Sequence, residues 1–484
     1  MKYAEGSGSI LKSRFAQGCK FALWAFVAFG VVSAYGDAAS GFTVDTAIPA
    51  GNAIVNAIDG DAVSIRQDLR DTKGEWFYWA FRVKGAAGRT VRFDFRKPDG
   101  ANLDIVGVRG PVVSKDGGKT FAYPLDGKAT ARGFTYTFAP DENETLFYEC
   151  HPYLRAHWDA FVARHAADAA KGTFAVETLC RSRAGAEVPR VRAGCIKGEP
   201  KYRFMFTARH HCSETMASWV FEGIVDSFLA DDDLGAWLRE NVELMGVPFV
   251  DYDGAQSGDQ GKNRKPHDHN RDYSEFIYPE TKALTEWIGD HAHGRLDAFI
   301  DLHCPWIRGE YNEFVYATRK DPKIMPPTAQ EDRFSEILEK VQSGALRYKA
   351  ANDLPFGQKW NKGVNFDQGW SSVIWACHNV KGQRVCRAME FPFANAGGAV
   401  VTPEKCRTFG RDLALALRAL RVRLRRIFPP LRFGAFPLRS FAMLQRRFGS
   451  LNYVLKLPSA GLECTTNKPS RQGRFSVFAG GRLV

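Results

Sequence analysis

The sequence predicts an α/β fold in which a mixed-sheet domain carries the chemistry and a small all-β sandwich domain precedes it. Three observations lead there. The chain has 484 residues, 45% of them hydrophobic and 13% aromatic, enough to bury a large core in two or three domains at roughly 100–200 residues each. Residues 41–150 alternate apolar and polar side chains with period two. From Pro152 onward, strand-like and helix-like segments take turns.

Taken in order, the chain opens with Lys12, Arg14 and Lys20, and Phe21 begins an apolar run of 14 residues that closes on Val32-Ser33-Ala34. A basic start, a short apolar stretch and small residues at its end predict a signal peptide over residues 1–34, and with it a secreted or periplasmic protein. A spanning helix needs about 20 apolar residues. No stretch reaches that length, so no stable membrane span is expected once the signal is removed. Within residues 41–150, Val91, Phe93 and Phe95 alternate with Arg92, Asp94 and Arg96, and Phe134, Tyr136 and Phe138 with Thr135 and Thr137. Such alternation marks half-buried strands, and glycine-rich breaks such as Lys84-Gly85-Ala86-Ala87-Gly88 separate them as a sandwich requires. Nothing in this segment looks catalytic.

Residues 151–428 read as the α/β domain. Tyr202, Phe204 and Phe206 share one face of a strand, and Thr215 to Ala230 follows as a mostly apolar helix. Its polar members Ser218, Glu222 and Asp226 recur every four residues and predict one wet edge. A helix over Lys282 to His293 precedes the apolar strand Leu296 to Leu302, and a long helix runs from Pro403 to about Ile427, where Pro429-Pro430 ends it. Residues 429–484 keep no period and form a basic, poorly ordered extension, with nine Lys and Arg after residue 430 facing a single acid, Glu463.

The formal charge of +12 is placed unevenly, since residue 401 onward holds 17 Lys and Arg against 3 Asp and Glu. The remaining 400 residues are close to neutral, so no nucleic-acid partner is expected for the part that carries the chemistry. Ten cysteines without a C-x-x-C element do not make a cystine framework in a chain this long. Cys212 and Cys304 are either bonded to each other or two small buried residues.

Four polar groups stand out against the apolar segments. His211-Cys212-Ser213-Glu214 follows a strand and opens a helix, where an imidazole and a carboxylate three residues apart can share a metal ion. Alone, the pattern equally describes a surface His beside a Glu favoured by the helix dipole. Gly261 to Tyr273 has almost no apolar content. As a loop it is merely solvated, but Arg264 and Arg271 are planar forks suited to a carboxylate, and Asn270 adds an amide donor. His303 closes the strand Leu296 to Leu302, at the end where α/β sheets place ligands; a structural histidine is the plainer alternative. Glu390 lies inside the apolar run Ala388-Met389-Glu390-Phe391-Pro392-Phe393, and Glu is rarely buried unless paired or functional.

Together these residues resemble the zinc carboxypeptidase family, in particular the cytosolic-carboxypeptidase-like subgroup with an N-terminal β domain. The likeness covers about residues 41 to 428. Arg-His-His-Cys-Ser-Glu-Thr-Met-Ala-Ser-Trp-Val, from Arg209, is similar to the family's H-P-G-E-T-x-x-S-W/F-V, and the ligand pair, Arg-bearing loop, Asn-Arg, distant His and late Glu come in the family's order. The resemblance implies a zinc-carboxypeptidase-type catalytic domain that holds zinc by His211, Glu214 and His303. It implies Asp268 as the carboxylate that orients His211, Arg264 as the group polarising the scissile carbonyl, and Asn270 and Arg271 as binders of the substrate's terminal carboxylate. Glu390 is then the general base. His210 is a rival ligand to His211 that breaks the spacing.

The expected reaction is release of a C-terminal amino acid from peptides or proteins. A zinc-dependent deacylase of N-acyl amino acids and a non-catalytic binding protein that has kept the fold are the alternatives. Two departures from the family stand out. No Tyr lies between Tyr348 and Tyr453, where the family carries a substrate-covering Tyr, leaving Phe366, Trp370 or Trp375 to line that wall. The predicted export signal is also foreign to the cytosolic subgroup.

Overall fold

The computed structural model describes residues 41–324 and 328–421; the predicted signal peptide and the C-terminal extension lie outside them. The first eight strands are β1 (Thr43–Asp45), β2 (Ile54–Asp59), β3 (Ala62–Arg66), β4 (Ala80–Lys84), β5 (Thr90–Phe95), β6 (Val112–Ser114), β7 (Gly133–Thr137) and β8 (Glu144–Tyr148). They form two four-stranded sheets, ordered β1-β4-β8-β6 and β2-β3-β5-β7. The period-two reading holds in β5, where Val91, Phe93 and Phe95 are buried while Thr90 and Arg92 are exposed. Phe93 packs on Phe134 at 5.0 Å and on Phe147 at 5.5 Å between ring centroids, so aromatic side chains from both sheets fill the space between them.

The rest is α/β. It runs through α1 (Arg155–Arg164), α2 (Ala166–Lys171), β9 (Phe174–Arg181), β10 (Glu187–Gly194), β11 (Tyr202–Ala208), α3 (Thr215–Leu229), α4 (Asp233–Asn241), β12 (Val242–Val247), α5 (Tyr252–Ser257), α6 (Pro279–Ala292) and β13 (Ala298–His303). It continues with β14 (Tyr316–Ala317), α7 (Ala329–Val341), α8 (Ser372–Asn379), β15 (Val385–Glu390) and α9 (Pro403–Arg421). One seven-stranded sheet, ordered β14-β15-β13-β11-β12-β10-β9, holds these strands. β12, β11, β13 and β15 pair in parallel, and the outer strands β9, β10 and β14 pair antiparallel, which makes the sheet mixed. Every residue of β12 and β13 is buried, as internal strands covered on both faces require.

The expected wet edge of the helix after Thr215 survives only at Asp226, which is partly exposed. Ser218 and Glu222 on α3 are buried, because Glu222 accepts from Tyr153 Oη at 2.9 Å and from Arg407 Nε at 2.7 Å. α9 lies directly on α3, where Cβ atoms added to Gly223 or Gly410 would sit 2.0 Å from Arg407 O or 2.2 Å from Val220 O. The polar stripe therefore marks chiefly a helix contact and not a solvent face.

The N-terminal sheets and the α/β part share one continuous apolar core from Phe42 to Leu420. Asn52 Nδ2 donates to Gly258 O at 2.8 Å, and the Gln260 amide meets both backbone groups of Tyr78 at 2.8 Å. The eight cysteines among the described residues are free, Cys212 and Cys304 included. Among the described residues no helix is long and apolar enough to cross a membrane.

Candidate functional site

Three parallel strands end together. Register sets Ala208 beside Leu302 and His303 beside Glu390, so β11, β13 and β15 release the chain at one edge of the sheet. β11 leads through Arg209, a non-glycine residue at φ 65°, into His210, His211 and Glu214. That strained turn is held by the buried Arg209 guanidinium, which donates to Cys212 O at 2.6 Å and Tyr153 O at 2.9 Å.

Two rings and one carboxylate converge from these strand ends. His211 Nδ1 lies 2.7 Å from Glu214 Oε1, and His303 Nδ1 lies 2.7 Å from Glu214 Oε2. The outer nitrogens face other acids: His211 Nε2 is 3.4 Å from Asp268 Oδ1, and His303 Nε2 is 2.7 Å from Asp301 Oδ2. Carboxylates at both nitrogens favour the doubly protonated ring, and a metal taking Nδ1 would leave the Nε2–H tautomer facing Asp268 or Asp301. In that tautomer Asn270 Nδ2 donates to Asp301 Oδ2, at 3.3 Å, while its oxygen accepts from Ser372 N at 3.0 Å.

Burial would raise Glu214, but the charges of His211 and His303 outweigh it and hold the carboxyl down to about 2. Glu390 is different. Burial pushes it up to about 7 against the pull of His303, and its Oε2 has no hydrogen-bond partner. Asp268 and Asp301 are both held well below the usual range, against burial, by Lys262 and His211 in one case and by His210 and His303 in the other.

Among the described residues, two groups of side chains could hold a metal ion: His211, Glu214 and His303, or His210, Asp301 and His303, with donor atoms within 4.8 Å of one another in each. His211, Glu214, His303 and Glu390 line a cavity of about 360 Å³, to which Lys262, Asn270 and Arg271 also contribute. Much of the remaining lining is apolar, including Val373, Ile374, Ala388, Trp360 and Phe366. His210 and Asp301 lie behind it: the His210 nitrogens meet Asp301 Oδ1 at 2.8 Å and Tyr273 Oη at 2.6 Å, and Asp301 also accepts from Thr207 Oγ1 and Ser372 Oγ.

Arg264 departs from its expected place. Its guanidinium lies among Asp259, Asp251 and Asp71, at 2.8, 3.3 and 3.4 Å, and is not part of the cavity lining. The cation beside the ligand group is Lys262, which the sequence reading did not single out. Burial and the neighbouring Arg271 charge lower its ammonium, with Asp268 and Glu214 pulling the other way. Arg271 is buried, with Nε on Asn365 O at 2.7 Å, Nη1 on Asn270 O at 2.5 Å, and the Phe366 ring 4.8 Å from its Cζ. Of the aromatic residues considered for the missing Tyr, only Phe366 lines the cavity; Trp370 stacks on His378 and Trp375 lies against Tyr273. Trp360 and Trp76 line it too, the latter from the N-terminal β region that had seemed devoid of functional residues. Asp301 was legible in principle, since strand alternation puts it on the same side of β13 as His303.

No protein-family model matches the chain. Its sequence is 28% identical to cytosolic carboxypeptidase 2 of Xenopus tropicalis over 241 residues, 44% of this chain and 25% of that protein. The Danio rerio cytosolic carboxypeptidase 2 is 26% identical over 241 residues, 44% of this chain and 33% of that protein. The chain thus spans about a quarter to a third of the length of these curated relatives. Among solved structures, a metallo-carboxypeptidase from Burkholderia cenocepacia shares the fold with a TM-score of 0.61 at 20% identity, over 78% of this chain and 98% of that one. The curated relatives are cytosolic carboxypeptidases by name, which overturns the expectation of a secreted or periplasmic protein.

Proposed function

We propose, from its likeness to the cytosolic carboxypeptidases and to the metallo-carboxypeptidase fold, that the chain is a zinc carboxypeptidase of the cytosolic-carboxypeptidase-like branch and hydrolyses the C-terminal peptide bond of peptides or proteins. The carrying observation is the β13–β15 register, which puts Glu390 opposite His303 on the cavity that His211 and Glu214 also line. His211, Glu214 and His303 are the zinc ligands of this reading, with Asp268 and Asp301 orienting the rings from outside. Their donor set suits zinc, and all three line the cavity, whereas His210 lies outside its lining.

Zinc supplies Lewis acidity at the scissile carbonyl when bound. Glu390 accepts a proton from the attacking water as the new C–O bond forms, and passes it to the amine, whose C–N bond then breaks as the carbonyl re-forms. Its carboxyl has an orphaned oxygen ready for that proton. Arg271 holds the terminal carboxylate. Its Nε and Nη1 are fixed on backbone carbonyls, which leaves Nη2 for the substrate. Asn270 shares the cavity, and with its amide committed to Asp301 and Ser372 it steadies Arg271 through its carbonyl.

Digestion of one peptide with a free and with an amidated C-terminus, read by mass spectrometry, tests the reading. A charge-assisted contact worth about 1.5–3 kcal/mol should make the free acid at least about tenfold faster. Equal cleavage of both would overturn the carboxypeptidase assignment, and faster hydrolysis of N-acyl amino acids than of peptides would replace it with a deacylase.

A further inference from the structure

Arg264 and Lys262 sit two residues apart in one loop and serve different neighbours. Arg264 is enclosed by Asp259, Asp251 and Asp71, its backbone forms a bridge with Thr72, and Lys265 N donates to Asp71 O at 2.6 Å. Turning its guanidinium into the cavity would strip three buried carboxylates of their shared cation, which is costly. The loop is pinned on the same side at Lys262, whose carbonyl accepts from Thr72 Oγ1 at 2.7 Å.

The Lys262 side chain goes the other way. It lines the cavity with His211, Glu214, Asn270 and Arg271. Its Nζ stands 3.6 Å from Asp268 Oδ2, too far for a hydrogen bond. Asp268 already accepts from Asn263 N at 2.9 Å and Asn270 N at 2.8 Å. An ammonium on a flexible stem, loosely paired and facing a cavity, can move its donors onto a substrate oxygen. Arg271, fixed by two carbonyls and a ring, is by contrast a rigid cation of the same lining, as are Arg319 and Lys320, paired with Asp353 and Glu331.

Resting on the carboxypeptidase reading, we infer that Lys262 donates to the scissile carbonyl oxygen and stabilises the negative charge that develops there, the role expected of Arg264. Arg264 is instead a positioning residue that holds the loop on the N-terminal β region.

The test compares Lys262→Met, Lys262→Arg and Arg264→Gln with the wild type. It measures kcat and KM on a free-acid peptide, zinc content, and affinity for a peptide phosphonate whose tetrahedral oxygens mimic the developing charge. Loss of one such donor costs about 10²–10³-fold. Lys262→Met should lower kcat and phosphonate affinity by about 10²-fold, with KM within about threefold and zinc retained, and Lys262→Arg should recover most of both. Arg264→Gln, assayed below its own melting temperature, should melt earlier yet keep kcat and phosphonate affinity within about threefold, since no oxyanion donor is lost. If Lys262→Met does not fold, Lys262→Gln carries the same expectation. Normal kcat and phosphonate affinity without the Lys262 charge would overturn the inference, as would their loss in a folded, zinc-loaded Arg264→Gln. A wild type that neither releases C-terminal residues nor binds the phosphonate marks instead a failure of the carboxypeptidase reading, and the inference falls with it.

Discussion

Glu390 and Glu149 are both buried carboxyls with an orphaned oxygen, yet only Glu390 lines the cavity. Glu390→Gln keeps the shape but accepts no proton, so turnover should fall about 10²–10⁴-fold with zinc retained; near-normal turnover would end its assignment as base. His303→Ala removes one of three ligands, and elemental analysis should find the bound zinc lost. Glu149 has no task in the mechanism, and burial raises it to about 8, with a hydrogen bond from the Cys150 thiol pulling the other way. Its native value lies above the unfolded value of about 4.3, so the native state holds a proton that the unfolded chain releases. The stability it allows is complete below pH ~4.3 and declines by about 1.4 kcal/mol per unit as the pH rises toward 8. Glu149→Gln should therefore melt higher than the wild type at pH 8 and show a flatter profile from pH 5 to 8. Parallel melting curves across that range would remove Glu149 as the cause.

The α3–α9 contact depends on two glycines inside helices, where alanine would be the better helix former. A Cβ at Gly223 would meet Arg407 O at 2.0 Å, so Gly223→Ala should destabilise by about 1–3 kcal/mol through overpacking despite its propensity gain. Thermal or urea unfolding reads the sign directly. The periodicity of α3 was legible and its environment was not: Ser218, Glu222 and Asp226 recur as a solvated stripe would, but Arg209, Arg407 and His165 meet them. A helical period reports which residues share a face, not whether that face meets water or another helix's polar groups.

Across the molecule, the N-terminal β region is joined to the α/β part by charge as well as by core. Arg70 reaches Asp259, and Arg264 gathers Asp71 from the β region with Asp251 and Asp259 from the α/β part. Arg264→Ala leaves Asp71 and Asp251 without their cation and should cost about 3–5 kcal/mol, whereas a double variant that also replaces Asp71 with Asn should recover much of it. A double-mutant cycle in chemical unfolding measures the coupling.

The sequence by itself determined the strands of the sandwich and the α/β alternation, because periodicity is written within a few neighbouring positions; it offered His211, Glu214, His303 and Glu390 as candidates, whose roles came only with the family resemblance. It also held the Arg-bearing loop, but not the direction of its side chains. Which of Lys262 and Arg264 enters the cavity depends on Asp71, nearly 200 residues earlier in the chain, and on the hydroxyl of Thr72. Likewise His210 and His211 are neighbours of equal coordinating power, and only the placement of Asp301 and Tyr273 on one and of the cavity on the other separates them. Those decisions are made by long-range electrostatic pairing, which links residues through space irrespective of their separation along the chain, and so they belong to the tertiary structure alone.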